Sequence, residues 1–290
     1  MARMRIPWRK LDWTNTAVLA GAHLLAVAAI VWMVHAFRWQ TLVLGILWFW
    51  LCGVSITGGY HRLFAHPTYR CSWPLKLFYL LFGAASVQNS ALKWSSDHRR
   101  HHAHTDEESD PYNIRKGFWW AHVGWVLVKE PAPPDFENVK DLQADPLLRF
   151  QHRFYVPLAL LAGWGLPCAI AALWGDALGG LLVAGFLRLS FQYHATFSVN
   201  SVAHTLGSRP YARLTTAGDS FVTAIVTLGE GYHNFHHRFP MDYRNGVRFY
   251  HFDPTKWWVW SFSLVGLVRN IQRTPLQQIL EARRTAAQAT

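Results

Sequence analysis

Histidine is the residue type in this sequence most suited to chemistry, because 16 of the 290 residues are histidines and nine of them are clustered. Imidazole binds metals and carries protons near neutral pH, so clustered histidines indicate a metal site. The nine lie in four groups along the chain: His61 and His66; His98, His101 and His102; His204, four residues after Asn200; and His233, His236 and His237.

The spacing within the groups predicts how their side chains are presented. Two groups have the spacing i, i+3, i+4, which places three side chains on one face of an α-helix. Asn200 and His204 form an i, i+4 pair. His61 and His66 are five residues apart, so they need a helix end or a turn to converge. The two glycines that precede this pair permit such a distortion of the backbone.

The number of imidazoles predicts more than one metal ion. Nine ligands exceed the four that a zinc ion takes and suit two metal ions of four to six ligands each. Imidazole is compatible with Zn, Cu, Fe and Ni, so the ligand type alone does not name the metal. Glu230 stands three residues before His233, as in the Glu-x-x-His pattern of soluble di-iron bundles, but the pattern occurs only once in the sequence. We therefore predict that Glu230, like Asp97 beside His98, orients a histidine.

The composition narrows the class of protein that carries these histidines. Hydrophobic residues make up 51% of the chain and charged residues only 16%, with a formal net charge of +11. These values exclude a disordered chain, a collagen-like chain and a disulfide scaffold. The charge is too low for a typical nucleic-acid binder, so no nucleic-acid partner is predicted. The three cysteines form no CxxC pair and predict buried thiols in a reducing compartment.

The elements that must position the histidines are predicted to be membrane helices. A spanning helix needs about 20 mostly apolar residues, and four stretches qualify: 14–35, 41–59, 154–174 and 177–199. Short links join the first two stretches and the last two, so each pair predicts a helical hairpin. Residues 73–86 are apolar but too few to span, and they predict an interfacial or buried helix.

The basic residues set the predicted orientation of the hairpins. They concentrate at the N-terminus and outside the spans, so both termini and the long middle segment are predicted to be cytoplasmic. Residues 60–153 and 200–275 would form a cytosolic helical cap, 276–290 a solvated or surface-lying tail, and 1–290 a single domain. His61 and Asn200 follow spans that exit on this side. The four histidine groups are therefore expected to meet just above the inner surface of a multi-pass membrane protein, in a bacterial inner membrane or the endoplasmic reticulum.

The sequence resembles the membrane fatty acid desaturase family, in particular its acyl-CoA Δ9 (stearoyl-CoA type) members. The strings that carry the resemblance are HRLFAH at 61–66, HRRHH at 98–102, SDPYN at 109–113, HVGWVLVK at 122–129, NSVAH at 200–204 and EGYHNFHHRFPMDYR at 230–244. The resemblance implies an all-α membrane protein with four transmembrane helices under a cytosolic cap. It also implies two iron ions in a histidine-rich di-iron centre, with O2 as co-substrate.

The resemblance also implies roles for particular residues. The nine clustered histidines would bind the irons, and Asn200 would hold a metal-bound water. Gln88, Trp94 and Thr196 match positions that enclose a bend in the acyl tunnel, and Phe197 replaces a tryptophan of its wall. Asn89 and Asp97 match positions that contact coenzyme A. The sequence departs from the family at Ser96 and at Lys129–Glu130, where animal members carry cationic contacts to phosphate. Lys93, Arg99, Arg115 and Lys116 could compensate, and acyl-carrier protein or membrane lipid stay open as acyl donors.

The expected reaction is O2-dependent desaturation of a saturated acyl thioester, which places a cis double bond in mid-chain, at Δ9. Two electrons come from the substrate and two from an external donor. No haem-binding cytochrome domain is visible after Trp257, so a separate redox protein is expected, of ferredoxin or cytochrome b5 type with its reductase. A hydroxylase with the same centre is one alternative. A zinc-dependent membrane hydrolase or a metal transporter is another, although a transporter should place more polar groups in its spans.

Overall fold

The protein is mostly helical. The structure, a computed structural model, describes residues 8–129 and 135–288. The longer α-helices are Trp13–His35, Trp39–Val54, Trp73–Ala85, Ala91–Ala103, Pro146–Arg153, Tyr155–Leu160, Leu166–Ala172, Arg188–Ser201, Phe221–Val226, His233–Arg238, Pro254–Leu264 and Leu276–Gln288. Wider π-helical turns continue some of them, at Ser55–Ala65, Trp120–Gly124, Leu161–Gly165 and Gly180–Leu187.

Short elements join these helices. Helical turns lie at Trp8–Lys10, Ile114–Lys116, Trp125–Leu127, Glu137–Val139, Lys140–Gln143 and Ala177–Gly179. Two short strands, Arg70–Cys71 and Val268–Arg269, pair antiparallel. They tie the segment that follows the second long helix to the segment that follows helix Pro254–Leu264. The C-terminal part of the chain is therefore held beside the histidine-bearing helices.

Three helices are long and apolar enough to cross a membrane: Trp13–His35, Trp39–Ala65 and Tyr155–Ala172. They correspond to the first three predicted spans. The side chain of Asp12 caps the first of them by accepting a hydrogen bond from the Asn15 amide at 2.9 Å. The second is six residues longer than its predicted end at residue 59, so His61 lies within this helix and not after it.

The fourth predicted span, 177–199, is helical through residues 177–201 but is not among these three helices. Its second half is polar. Arg188 is buried there and donates hydrogen bonds to the carbonyls of Ala184, Ala85 and Gly163 at 2.9–3.1 Å. Because backbone oxygens satisfy these donors, the buried arginine links three helices. It also makes the segment less apolar than the other three spans.

Helix Trp73–Ala85 is the shorter apolar helix that the sequence predicts, and it contributes to the core. Its Tyr79 lies so close to the preceding long helix that a Cβ added at Gly59 would meet the Tyr79 Cβ at 2.6 Å. The Tyr79 hydroxyl lies 3.1 Å from the Tyr69 hydroxyl, and both rings are fully buried. The Tyr69 hydroxyl also donates to the Gly58 carbonyl at 2.7 Å, so both tyrosines contact the π-helical turn Ser55–Ala65, which contains His61 and ends at His66.

The C-terminal helix Leu276–Gln288, within the predicted tail, packs one of its faces against the protein. Ile279, Ala282 and Ala286 are buried on one of its faces, and the Ala286 carbonyl accepts a hydrogen bond from Arg213 Nε at 2.7 Å. Three apolar side chains at spacings of three and four residues form a stripe that packs, so the segment is attached to the protein and is not free in solvent. Residues 289 and 290 of the predicted tail lie outside the described residues.

Candidate metal centre

The nine predicted histidines converge into two neighbouring clusters. We call the first cluster His61, His66, His98, His102 and His236, and the second cluster His101, His204, His233 and His237. Within each cluster, one nitrogen from every ring lies within 4.8 Å of the others. All but His102 and His237 are buried, and those two are partly buried. The predicted convergence of the four sequence groups is therefore found in the fold.

A wide helical turn brings His61 and His66 together. The backbone of Ser55–Ala65 is π-helical, and the His66 amide donates to the His61 carbonyl, five residues back, at 3.1 Å. Residues five apart therefore face the same way, with ring centroids 5.0 Å apart. The predicted distortion is thus a π-helical turn that ends at His66. The preceding glycines lie within it, and their missing side chains leave room for Tyr79.

The two His-x-x-His-His motifs each divide between the clusters. In helix Ala91–Ala103, His98 and His102 join the first cluster and His101 joins the second. In helix His233–Arg238, His233 and His237 belong to the second cluster and His236 belongs to the first. The sequence predicts one common face for each trio. In the structure that face spans both clusters, because the i+3 side chain is rotated from the i, i+4 row by a fraction of a turn.

The Nδ1 atoms of three rings have hydrogen-bond partners outside the clusters, and in two of them the partner fixes which nitrogen carries the proton. His61 Nδ1 lies 2.8 Å from Glu230 Oε2, and His101 Nδ1 lies 2.9 Å from Asp110 Oδ1. His204 Nδ1 lies 2.7 Å from the Thr216 hydroxyl. Since the carboxylates only accept, the Nδ1 atoms of the first two rings must carry the proton, and their Nε2 atoms keep a free lone pair.

The Nε2 atoms point at one another across each cluster. They are 3.0 Å apart between His61 and His236, 2.8 Å between His66 and His98, and 3.1 Å between His204 and His233. Unprotonated nitrogens at this separation repel unless a cation shares their lone pairs. Two groups of inward-facing Nε2 atoms, some held by acceptors behind them, are therefore a donor set that fits two metal ions.

Burial favours the neutral form of seven of the nine imidazoles. It lowers the pKa of six of the rings well below the ordinary value, and the neighbouring rings lower it further: His66, His98, His102, His204, His236 and His237. Burial, with a contribution from His101, lowers the pKa of His233 to about 3. Neutral imidazole is the form that binds metals, so the site presents ligands in the required state at neutral pH.

A buried ionic network lies behind the first cluster. Glu230 accepts from Arg62 at 2.9 Å and from Asn245 Nδ2 at 2.7 Å, besides its contact with His61. Arg62 also pairs with Asp253 at 3.0 Å. Although burial by itself raises it, His61 and Arg62 hold the pKa of Glu230 down at about 2. Glu230 therefore stays ionised and orients His61, as the sequence predicts for it.

A cavity of about 720 Å³ reaches the two clusters. His61, His98, His101 and His233 form part of its wall, together with apolar residues of the membrane helices such as Phe49, Leu160 and Trp164. Six of the predicted substrate residues also line it: Gln88, Asn89, Trp94, Asp97, Thr196 and Phe197. Asn200 lines it as well. The cavity, whose surface is mostly apolar, thus joins residues of the membrane helices to ligands of both clusters.

Two contacts involve residues that the resemblance places at a bend of the substrate path. Gln88 Nε2 donates to Thr196 Oγ1 at 2.9 Å, which joins the segment before helix Ala91–Ala103 to helix Arg188–Ser201. The indole of Trp94 stacks on the imidazole of His98, with centroids 4.9 Å and planes 19° apart. These contacts link the cavity wall to the first cluster.

The predicted head-group contacts are arranged less simply. Asp97 pairs with Lys93 at 2.6 Å and with Arg100 at 2.9 Å. Arg99, a possible replacement cation, is engaged by Asp141 at 2.7 Å. Lys129 is exposed and is not part of the cavity wall, although Val128 beside it is. Glu130 lies outside the described residues.

Sequence reasoning missed the acidic loop that follows helix Ala91–Ala103. Asp110 contacts His101, and Asp106 accepts from the Thr216 hydroxyl at 2.6 Å, so both support ligands of the second cluster. The SDPYN string contains Asp110, but its spacing gives no sign of this contact. Arg62, inside HRLFAH, was missed in the same way.

Known proteins resemble this chain over nearly all of its length. A family model described as "Fatty acid desaturase" matches residues 36–267. A "Probable acyl-CoA desaturase" of Schizosaccharomyces pombe is 43% identical over 94% of this chain and 57% of its own length. "Acyl-CoA desaturase 1" of Saccharomyces cerevisiae is 40% identical over 95% of this chain and 56% of its own length. "Stearoyl-CoA desaturase" of Sus scrofa is 35% identical over 94% and 78%. The chain thus spans somewhat more than half the length of the two yeast relatives.

Proposed function

Because the chain belongs to the fatty acid desaturase family, we propose that it is an O2-dependent oxidoreductase that introduces a cis double bond at Δ9 of a saturated fatty acyl-CoA. The observation that carries the proposal is the junction of an apolar cavity with two histidine clusters. A fatty acyl chain is apolar and flexible, and such a cavity can hold it extended beside a metal pair.

We propose that each cluster holds one iron ion. A bound iron pair would supply activation of O2 and removal of two hydrogens from neighbouring carbons. The part of the protein is to supply neutral imidazoles in fixed directions, through Glu230 behind His61 and Asp110 behind His101. Asn200, on the cavity wall, would hold a metal-bound water.

The wall residues would select the carbon that reacts. Trp94 stacks on His98, so the chain must pass the first cluster along a rigid indole face. The Gln88–Thr196 hydrogen bond would hold the bend, with Phe197 beside it. A fixed bend at a fixed distance from the head group counts carbons, which gives positional specificity. Asn89 and Asp97 would lie nearer the thioester, and Lys129 would contact the head group outside the cavity.

We further propose the membrane arrangement that fits this chemistry. Residues 177–199 would form a fourth span beside the three apolar helices. Residues 60–153, which include the last turn of helix Trp39–Ala65, and residues 200–275 would form the cytosolic cap, both termini being cytoplasmic. The reaction needs two electrons beyond those of the substrate. We propose that a separate ferredoxin or cytochrome b5 type protein delivers them to the basic cap.

Product analysis tests the proposal. Lipids of cells that express the chain should gain monounsaturated acyl chains, detected by gas chromatography–mass spectrometry with the double bond mapped. His101→Ala should abolish this gain. His104→Ala is the matched control, since His104 is exposed and pairs with Glu107 outside both clusters. Hydroxylated chains would identify a hydroxylase instead. Zinc alone in protein made with iron available, with no new lipid, would overturn the oxidative proposal in favour of a hydrolase.

A further inference from the structure

We infer that Thr216 and Asp106 are positioning residues that fix the direction and tautomer of His204, and thereby control metal occupancy of the second cluster. The inference rests on the proposed function, since it concerns the metal centre of that reaction. Asp106 lies four residues after His102, and Thr216 lies twelve residues after His204.

The Thr216 hydroxyl has a single possible orientation. Thr216 Oγ1 lies 2.6 Å from Asp106 Oδ1, and the Thr216 amide donates to Asp106 Oδ2 at 2.9 Å. A hydroxyl has one proton, and the carboxylate can only accept, so that proton is committed to Asp106. The lone pairs of Oγ1 are left to face His204 Nδ1 at 2.7 Å. His204 must therefore carry its proton on Nδ1, which frees Nε2 as a metal ligand.

We call the chain of hydrogen bonds from His204 through Thr216 to Asp106 the relay. It differs from the contacts that orient His61 and His101. His61 and His101 lie directly on carboxylates, whereas a neutral hydroxyl stands between His204 and Asp106. His204 also lacks a regular helix to hold it, because helix Arg188–Ser201 ends three residues before it. Its direction thus depends on Thr216, which itself lies in an irregular segment.

One acidic loop aligns two of the four ligands of the second cluster. Asp110 Oδ1 contacts His101 Nδ1, and Asp110 Oδ2 accepts from the Asp106 amide at 3.1 Å. Asp106 in turn holds Thr216, so His101 and His204 are set by one hydrogen-bonded unit, in which both carboxylates are buried. The first cluster is supported separately, through Glu230. Loss of the Thr216 hydroxyl should therefore affect one metal position and spare the other.

Metal titration of the purified full chain tests the relay. Chelator-treated protein is titrated anaerobically with ⁵⁷Fe(II), and bound iron is measured by elemental analysis and by Mössbauer spectroscopy. Wild type should bind two irons. Thr216→Val keeps the shape of the side chain but removes the hydroxyl. The iron of the second cluster should then bind about 10–100-fold more weakly, so that one of the two Mössbauer signals is missing until more iron is added. Thr216→Ser should restore it. Thr285→Val, at an exposed threonine of the C-terminal helix, is the matched control and should bind as wild type.

The outcomes separate the relay from the proposed function. Two tightly bound irons with wild-type spectra in Thr216→Val would overturn the relay, as would failure of Thr216→Ser to restore binding. Fewer than two irons in the wild type would count against the proposed di-iron centre itself. If Thr216→Val does not fold, Asp106→Asn provides the same test. It removes the carboxylate charge and one acceptor and should weaken the same iron, and unchanged binding in this variant would refute the relay.

Discussion

Replacement of Glu230 by glutamine is the sharpest test of how the first cluster is held. Three donors converge on the two carboxylate oxygens: Oε2 receives His61 Nδ1 and Asn245 Nδ2, and Oε1 receives Arg62. A glutamine offers one oxygen and one NH2 group. Whichever way the amide is turned, its NH2 group faces either the guanidinium of Arg62 or the donors of His61 and Asn245.

The structure gives the size of the effect. Arg62 is 1% exposed and would lose one of its two carboxylate partners while keeping Asp253 at 3.0 Å. Breaking a buried ion pair costs about 3–5 kcal/mol, and the remaining partner favours the lower end. We therefore expect Glu230→Gln to lower the free energy of unfolding by about 3 kcal/mol. That corresponds to a fall in Tm of roughly 5 °C for a chain of 290 residues, at an unfolding entropy of about 2.1 cal/mol/K per residue. Loss of the acceptor behind His61 should also weaken metal binding by about 10–100-fold.

Thermal unfolding in detergent and metal content measured on the same preparations check both values. Glu281→Gln is the matched control, because Glu281 is exposed on the C-terminal helix and should change neither value. A Glu230→Gln variant with wild-type Tm and full metal content would refute the reasoning. A lowered Tm with full metal content would show that Glu230 serves the ionic network but does not position His61.

Three further results are expected. His236→Ala removes the histidine that its own motif sends to the first cluster, so gas chromatography–mass spectrometry should find no unsaturated product, while the level of the protein in membranes is unchanged; substantial product would contradict its role. Trp94→Ala removes the indole that stacks on His98 and should lower the rate or blur the double-bond position, and an unchanged product pattern would remove Trp94 from the substrate path. Acid should destabilise the metal-free protein: the pKa of His233 is lowered from 6.5 to about 3, so below pH 6.5 the unfolded chain takes up protons that the folded chain does not, and the denaturation midpoint should fall as pH drops from 7.5 to 5. A midpoint that does not vary over this range would contradict the neutral, buried state of the ring.

The ligand candidates and the long apolar helices were predictable because their signals are local. Spacings of three and four residues mark one helix face, and about 20 apolar residues mark a span. Nine histidines could thus be named before the fold was known, and three of the four predicted spans are found as long apolar helices. The fourth prediction was weaker because Arg188 makes the segment polar, and only the fold shows that backbone carbonyls satisfy its donors.

Apart from Glu230, the supports of the histidines could not be predicted, since they join residues far apart in the chain. Thr216 and Asp106 are 110 positions apart, and Glu230 and Arg62 are 168 apart. No periodicity links such pairs, because their contact depends on how several helices pack together. The resemblance to a family named the residues that bind and left unnamed those that orient them.

Ligand spacing and apolar runs are properties of consecutive residues, so they already predict that nine imidazoles gather beside membrane helices. The assignment of each imidazole to one of the two clusters requires the fold. His101 and His236 leave their own motif partners for the opposite cluster, because a helix turns its i+3 side chain away from the i, i+4 row and the facing helix supplies the remaining ligands. The fold also determines which ring nitrogens keep a free lone pair, because the acceptors that contact the Nδ1 atoms lie in segments that are brought to the rings by packing.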